Sequence, residues 1–125
     1  MLMALPFVLM SCGNSVADGI KKELQKQKSQ CPQYVGNGVI MTDANFYERD
    51  KVLEYIYSLE GVEYVDDTTV EELKEAMIEV FNNDISAYEK FSVKMILKSG
   101  YRFRYIYNDT EGNKLYEIDI TKDDL

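Results

Sequence analysis

Residues 101–121, YRFRYIYNDTEGNKLYEIDIT, decide how the rest of the chain is read. Tyr101, Phe103, Tyr105 and Tyr107 alternate with Arg102, Arg104 and Ile106, the period-two pattern of a strand with one buried face. Tyr116, Ile118 and Ile120 alternate in the same way on the return, and Asn108 to Asn113 supply the Asn, Asp and Gly that tight turns require. The stretch predicts a β-hairpin. Its aromatic face is expected to fill a core through cross-strand pairing, and in a second reading offers a platform on which sugar rings stack. Arg102 and Arg104 fall on the opposite side. There they pair with acids such as Glu117, Asp119 or Glu54, or grip a carboxylate or phosphate of a ligand. The candidate ligand-binding residues are therefore Tyr101, Phe103, Tyr105, Tyr107, Arg102 and Arg104. Asp109–Asn113 has the alternate oxygens of a calcium loop, but an EF-hand loop needs twelve residues between helices, so a turn is the better account and no metal site is expected.

The same alternation recurs upstream. In Val52–Leu59, VLEYIYSL, Leu53, Tyr55, Tyr57 and Leu59 share one face, and Val52, Glu54 and Ile56 share the other. Glu54-Tyr55-Ile56-Tyr57 and Arg104-Tyr105-Ile106-Tyr107 are two strands built alike. Tyr34–Met41 is also β-like, with a turn or bulge at its glycines, and the polar TDANFYERD of residues 42–50 is expected to loop back and make an antiparallel pair. Residues 66–81, DDTTVEELKEAMIEVF, predict a helix with a capping box at Thr69-x-x-Glu72, Val70, Leu73, Met77, Val80 and Phe81 on one face, and an end at Asn82-Asn83-Asp84. Residues 86–99 fit a strand or a helix; the Ser86-x-x-Glu89 cap and the stop at Gly100 favour the helix. Ahead of these, Val16, Ile20 and Leu24 make a thin apolar stripe on a helix over 15–29. The order is α-β-β-α-α-β-β. The expected fold class is α+β: an N-terminal helix, an antiparallel sheet of about four strands, and helices packed on one face.

Composition narrows function by exclusion. The chain has 125 residues, 46% of them hydrophobic, with 14 basic against 22 acidic residues and a net charge of −8. Phosphates would be repelled, so nucleic acid is not a partner, and no polybasic face exists to hold anionic lipid. The sequence contains no His. That removes Ser-His-Asp triads, Cys-His dyads and His-ligated zinc. No catalytic residue and no cofactor is assigned. Cys31-Pro32 ends the first helix, and an intervening helix of roughly 20 Å keeps Cys31 from pairing with Cys12, because a disulfide needs Cα atoms about 4.4–6.8 Å apart.

Met1–Met10, MLMALPFVLM, is an uncharged run too short to span a bilayer, which takes about 20 apolar residues, and of the length of a secretory apolar region. Leu9-Met10-Ser11-Cys12 resembles the lipobox of bacterial lipoproteins. The resemblance implies that Cys12 receives a diacylglyceryl group, that the signal is cut before it, and that the new amino terminus is acylated, with chains such as palmitate. Met10 departs from the favoured small residue, and the usual basic residues ahead of the apolar run are missing. The body is similar, through its Cys-Pro after the first helix and its Tyr-x-Tyr hairpin, to small secreted domains of unknown function attached to such signals.

The expected organisation is a signal peptide over residues 1–11, a lipidated Cys12 with tether and first helix over 12–31, and an α+β domain over 32–125. The expected role is an envelope-anchored, non-catalytic module, facing the periplasm or the cell exterior, that binds a protein or glycan of the envelope. The alternatives are a carboxylate-dependent glycan hydrolase, which needs two acids roughly 5–9.5 Å apart, and a protein inhibitor that presents the Asn108–Asn113 loop.

Overall fold

Helix α1 (Val16–Ser29) leads into strands β1 (Gln33–Gly36), β2 (Val39–Tyr47) and β3 (Val52–Leu59). Helices α2 (Asp67–Asn83) and α3 (Ala87–Lys98) follow, then strands β4 (Arg102–Asn108) and β5 (Lys114–Ile120) and a short 3-10 turn at Lys122–Asp124. These elements come from a computed structural model that describes residues 16–125. The fold class is α+β. Ile20 and Leu24 of α1, Met77 and Phe81 of α2, and Val93, Ile96 and Leu97 of α3 all join one core with the same face of the sheet. The helices therefore lie on one side, as the apolar stripes predict. Among the described residues no helix is long and apolar enough to cross a membrane.

The sheet has five strands in the order β1-β2-β3-β4-β5. It departs from the expected antiparallel arrangement of about four strands in two places. The first is the Tyr34–Met41 segment, which is itself a hairpin. Asn37 and Gly38 have φ of 55° and 75°, the left-handed pair that a two-residue Asn-Gly turn requires. Strand β2 then runs on through the segment expected to be a loop. Asp43 and Asn45 are polar because they lie on the outer face, while Ala44 (1% exposed) and Phe46 point inward, and a bulge between Met41 and Asp43 resets the alternation. The turn falls later, at Glu48–Lys51.

The second departure is the joint between the two halves. β3 and β4 pair in parallel, Val52 with Arg102, Tyr55 with Tyr105 and Tyr57 with Tyr107. The two look-alike strands are thus direct neighbours in matched register. A parallel joint needs a crossover of a dozen or more residues, and α2 and α3 supply it. Arg102 N–H donates to Lys51 C=O at 2.9 Å, and Lys51 Nζ donates to Ser99 C=O at 3.0 Å, which fixes where the two strands begin together.

Local signals account for most helix ends. α3 has the expected reciprocal box: Glu89 N–H donates to Ser86 Oγ at 3.1 Å, and Ser86 N–H donates to Glu89 Oε1 at 3.3 Å. Gly100 follows at φ 93°, a left-handed conformation suited to Gly. On α2 the cap is Asp66, whose carboxylate accepts from Thr69 N–H at 2.7 Å. The helix therefore starts a turn before the expected Thr69 box, since Asp is as good a cap as Ser or Thr.

Candidate functional site

The inner face of the sheet is filled. Phe103 and Tyr105 are 0% exposed, Tyr107 2% and Tyr101 8%. Their rings stack across strands: Tyr55 on Tyr105 at 5.4 Å and Tyr57 on Tyr107 at 5.1 Å between centroids. The aromatic candidates thus lie under the helix layer. Arg102 and Arg104 lie on the other face, over which no described helix packs. The structure separates the two halves of the predicted site by the thickness of one strand.

The outer face has its own organisation, centred on Glu54. This carboxylate sits on the middle strand, flanked by β2 and β4, and is 6% exposed. Three neighbours share it. Arg104 Nη1 donates to Oε2 at 3.2 Å, and Asn45 Nδ2 and the Tyr47 hydroxyl donate to Oε1 at 3.1 and 3.2 Å. Register explains the convergence, because Asn45, Glu54, Arg104 and Asp119 occupy one row across β2 to β5. Arg104 Nε lies 3.8 Å from Glu117 and 3.7 Å from Asp119, charge contacts too long to be hydrogen bonds.

The electrostatics follow from that crowding. Burial works against the Arg104 charge, but the Glu54 hydrogen bond and the fields of Glu117 and Asp119 raise its pKa overall. Burial and the neighbouring Glu117 charge push Asp119 up from the usual carboxylate range. The hydrogen bond from Lys114 holds Glu117 below it, against partial burial. Beside this polar row runs an aliphatic one: Ile56 pairs in register with Ile106, and both are half-buried outside the helix-side core. The outer face is thus an apolar strip bordered by fixed charges. Such a surface can hold an apolar segment of a partner and orient it through the charged row.

At the β1 end the sheet edge is only partly covered. β1 pairs with β2 no further than Met41, and a groove of about 360 Å³ runs between α1 and the remainder of β2, lined by Lys21, Leu24, Lys28 and Phe46. Lys28 reaches across this edge to Asp43 and Asn45, each at 2.8 Å. Asp43 in turn accepts from Ala44 N–H at 2.9 Å.

Glu54 and Asn45 were harder to find in the sequence than the arginines. Glu54 was visible as one of three candidate acids for the arginines, and Asn45 lay in a segment expected to be a loop. The signal that marks Glu54 is a lone charge inside VLEYIYSL, residues 52–59. Cys12 lies outside the described residues. Among the described residues no group of His, Cys, Asp and Glu is placed to hold a metal ion.

Comparison with known proteins places the architecture. The chain is similar to the pilotin EpsS of the Vibrio vulnificus type 2 secretion system, with TM-score 0.62 at 11% identity over 87% of this chain and 90% of that one. It is similar to the type II secretion pilotin AspS of Vibrio cholerae, with TM-score 0.57 at 11% identity over 88% and 92%. A Pseudomonas aeruginosa protein thought to be secreted superposes with TM-score 0.65 at 9% identity over 90% and 98%. At these identities the likeness is one of fold. Curated proteins give no match. Residues 15–116 match a family described as a domain of unknown function, DUF8479, and the chain belongs to that family.

Proposed function

We propose that this chain is a non-catalytic interaction module of the cell envelope, held at a membrane by lipid on Cys12, that presents its outer sheet face to a partner protein. The carrying observation is that uncovered face, an Ile56–Ile106 strip beside the ion pair of buried Glu54 with half-buried Arg104, on a fold shared with two type 2 secretion pilotins. The mature protein begins at Cys12, with the signal over residues 1–11 and a short tether ahead of α1. Two or three acyl chains hold a protein where one would let go, which suits a chain of net charge −8 that anionic lipid would not attract. Arg102 and Arg104 belong to the contact face; Tyr101, Phe103, Tyr105 and Tyr107 support it from within.

Two measurements test this. The intact mass of membrane-extracted protein should equal residues 12–125 plus the acyl groups, and Cys12→Ala should release the protein from the membrane. A photo-crosslinking residue at Ile56 or Ile106 should trap one discrete partner in cells. Crosslinks from the helix side alone would sink the assignment of the face.

A second reading, a carboxylate-dependent glycan hydrolase, draws on one observation: two carboxylates, Glu117 and Asp119, lie on the uncovered face, each within 4 Å of Arg104 Nε. Release of reducing sugar from envelope glycan, abolished by Glu117→Gln, would replace the first reading with this one.

A further inference from the structure

The stacked tyrosines carry a feature that packing alone does not explain. Tyr55, Tyr57 and Tyr105 are at most 1% exposed and Tyr107 is 2% exposed. Yet none of their hydroxyls has a hydrogen-bond partner among the described residues. Gln27 of α1 is 2% exposed, and both ends of its amide are likewise unpaired. Buried polar groups in folded proteins are bonded in the great majority of cases, to protein or to ordered water. So many orphans in one core would remove much of a domain's narrow margin of stability.

Geometry shows why the hydroxyls do not satisfy one another. Tyr55 and Tyr105 are register partners on parallel strands, as are Tyr57 and Tyr107. Their rings lie nearly parallel, 15° and 16° apart, with centroids 5.4 and 5.1 Å apart. Strand spacing therefore sets their hydroxyls at about the same separation, roughly 5 Å, where a direct O–H···O bond needs about 2.5–3.0 Å. One oxygen that bonds both partners spans roughly 4.5–5.5 Å. The spacing that forbids the direct bond fits a single bridging hydroxyl. Gln27 lies on the same buried stripe of α1 as Ile20 and Leu24. Burial raises the pKa of each of these phenols, so each stays protonated and both donates and accepts.

We propose that the buried layer at the hydroxyl ends of the β3 and β4 tyrosines is an internal binding site for neutral hydroxylic molecules, water or a small polyol, that bridge Tyr55 to Tyr105 and Tyr57 to Tyr107. The site is neutral, so it takes no ion, and it needs groups that give and receive hydrogen bonds at once. Crystals of the full domain grown without polyols should show ordered oxygens about 2.7–3.0 Å from both hydroxyls of each pair. Density that continues into carbon, matched by a carried mass in native mass spectrometry, would identify a polyol in place of water. Empty space between the pairs, or hydroxyls turned onto protein groups, would overturn the proposal.

Thermal melts test the orphan alternative without crystals. Phe keeps the ring stack and deletes only the hydroxyl. A bridged hydroxyl therefore predicts that Tyr55→Phe, Tyr57→Phe, Tyr105→Phe and Tyr107→Phe each lower Tm by about 4 °C, the shift that one lost hydrogen bond brings to a domain of this size. Orphaned hydroxyls predict an unchanged or higher Tm, and that result would refute the site.

Discussion

Strand β3 shows two ways to bury one surface. Leu53, Tyr55 and Tyr57 enter a neutral, ring-stacked layer under the helices, while Val52, Glu54 and Ile56 face outward, and Glu54 is still only 6% exposed. The inner face is held by apolar area, which is non-directional and cumulative. The outer face is held by a carboxylate whose hydrogen bonds come from three neighbouring side chains. The first tolerates the loss of a polar atom better than the loss of volume; the second reverses that order. What separates the faces is therefore how their burial is compensated, more than how much of it there is.

Deleting volume from the inner face gives the largest effect. Phe103→Ala, at a position 0% exposed, should destabilise the domain by about 3–5 kcal/mol in denaturant titration. A loss near that of a surface substitution would mean the inner face is not the core.

Removing one partner from the outer network comes next. Arg104→Ala leaves Glu54 buried with its charge uncompensated, an expected loss of about 1–3 kcal/mol, partial solvent access at Arg104 keeping it from being larger. Combining it with Glu54→Leu should recover much of that loss, because replacing both members by apolar groups removes the stranded charge. If the double variant is as unstable as the sum of the singles, the pair is not coupled.

Smaller and of opposite sign are the pH effects of Glu117 and Asp119. Glu117 has a depressed pKa, so its stabilisation is present above the unfolded carboxylate pKa and is lost as pH falls through the folded value. Asp119 has a raised pKa, so its ionisation weakens the fold as pH rises through the folded value. Glu117→Gln should therefore lower stability at neutral pH, and Asp119→Asn should raise it. Each difference should stay below about 1 kcal/mol, since both groups are partly exposed. Both differences should close once pH falls below the folded and unfolded values of each carboxyl, as chemical melts at several pH values would show. Equal signs would refute the division of roles.

The smallest stability effect belongs to the strip proposed for contact. Ile106→Ser should shift stability by about 1 kcal/mol or less, as at half-buried sites, while it lowers the yield of the partner crosslink from Ile56. A variant that unfolds instead would move Ile106 into the structural core.

Much of this was legible because it is local. The β4–β5 hairpin, the Ser86 cap, the Gly100 stop and the α1 stripe each depend on spacing within about a dozen residues, and spacing is what a sequence displays. The Ala44–Phe46 continuation of β2 was hidden because its outward residues are polar and its inward partner Ala44 is small, so a strand carried the composition of a loop. The arginines were visible as an outward pair, but Glu54 as the hub that holds Arg104 was not. Its importance arises from the row that joins Asn45, Arg104 and Asp119 from other strands.

By itself the sequence determined the fold class, the Ser86 cap of α3 and the opposition of aromatic to basic residues along β4, since alternation and capping act through neighbours along the chain. Only the tertiary structure decided that β3 and β4 run parallel in matched register. That pairing depends on where a long helical crossover delivers the chain. From it come both the ring stack on one side and the Glu54–Arg104 pair on the other.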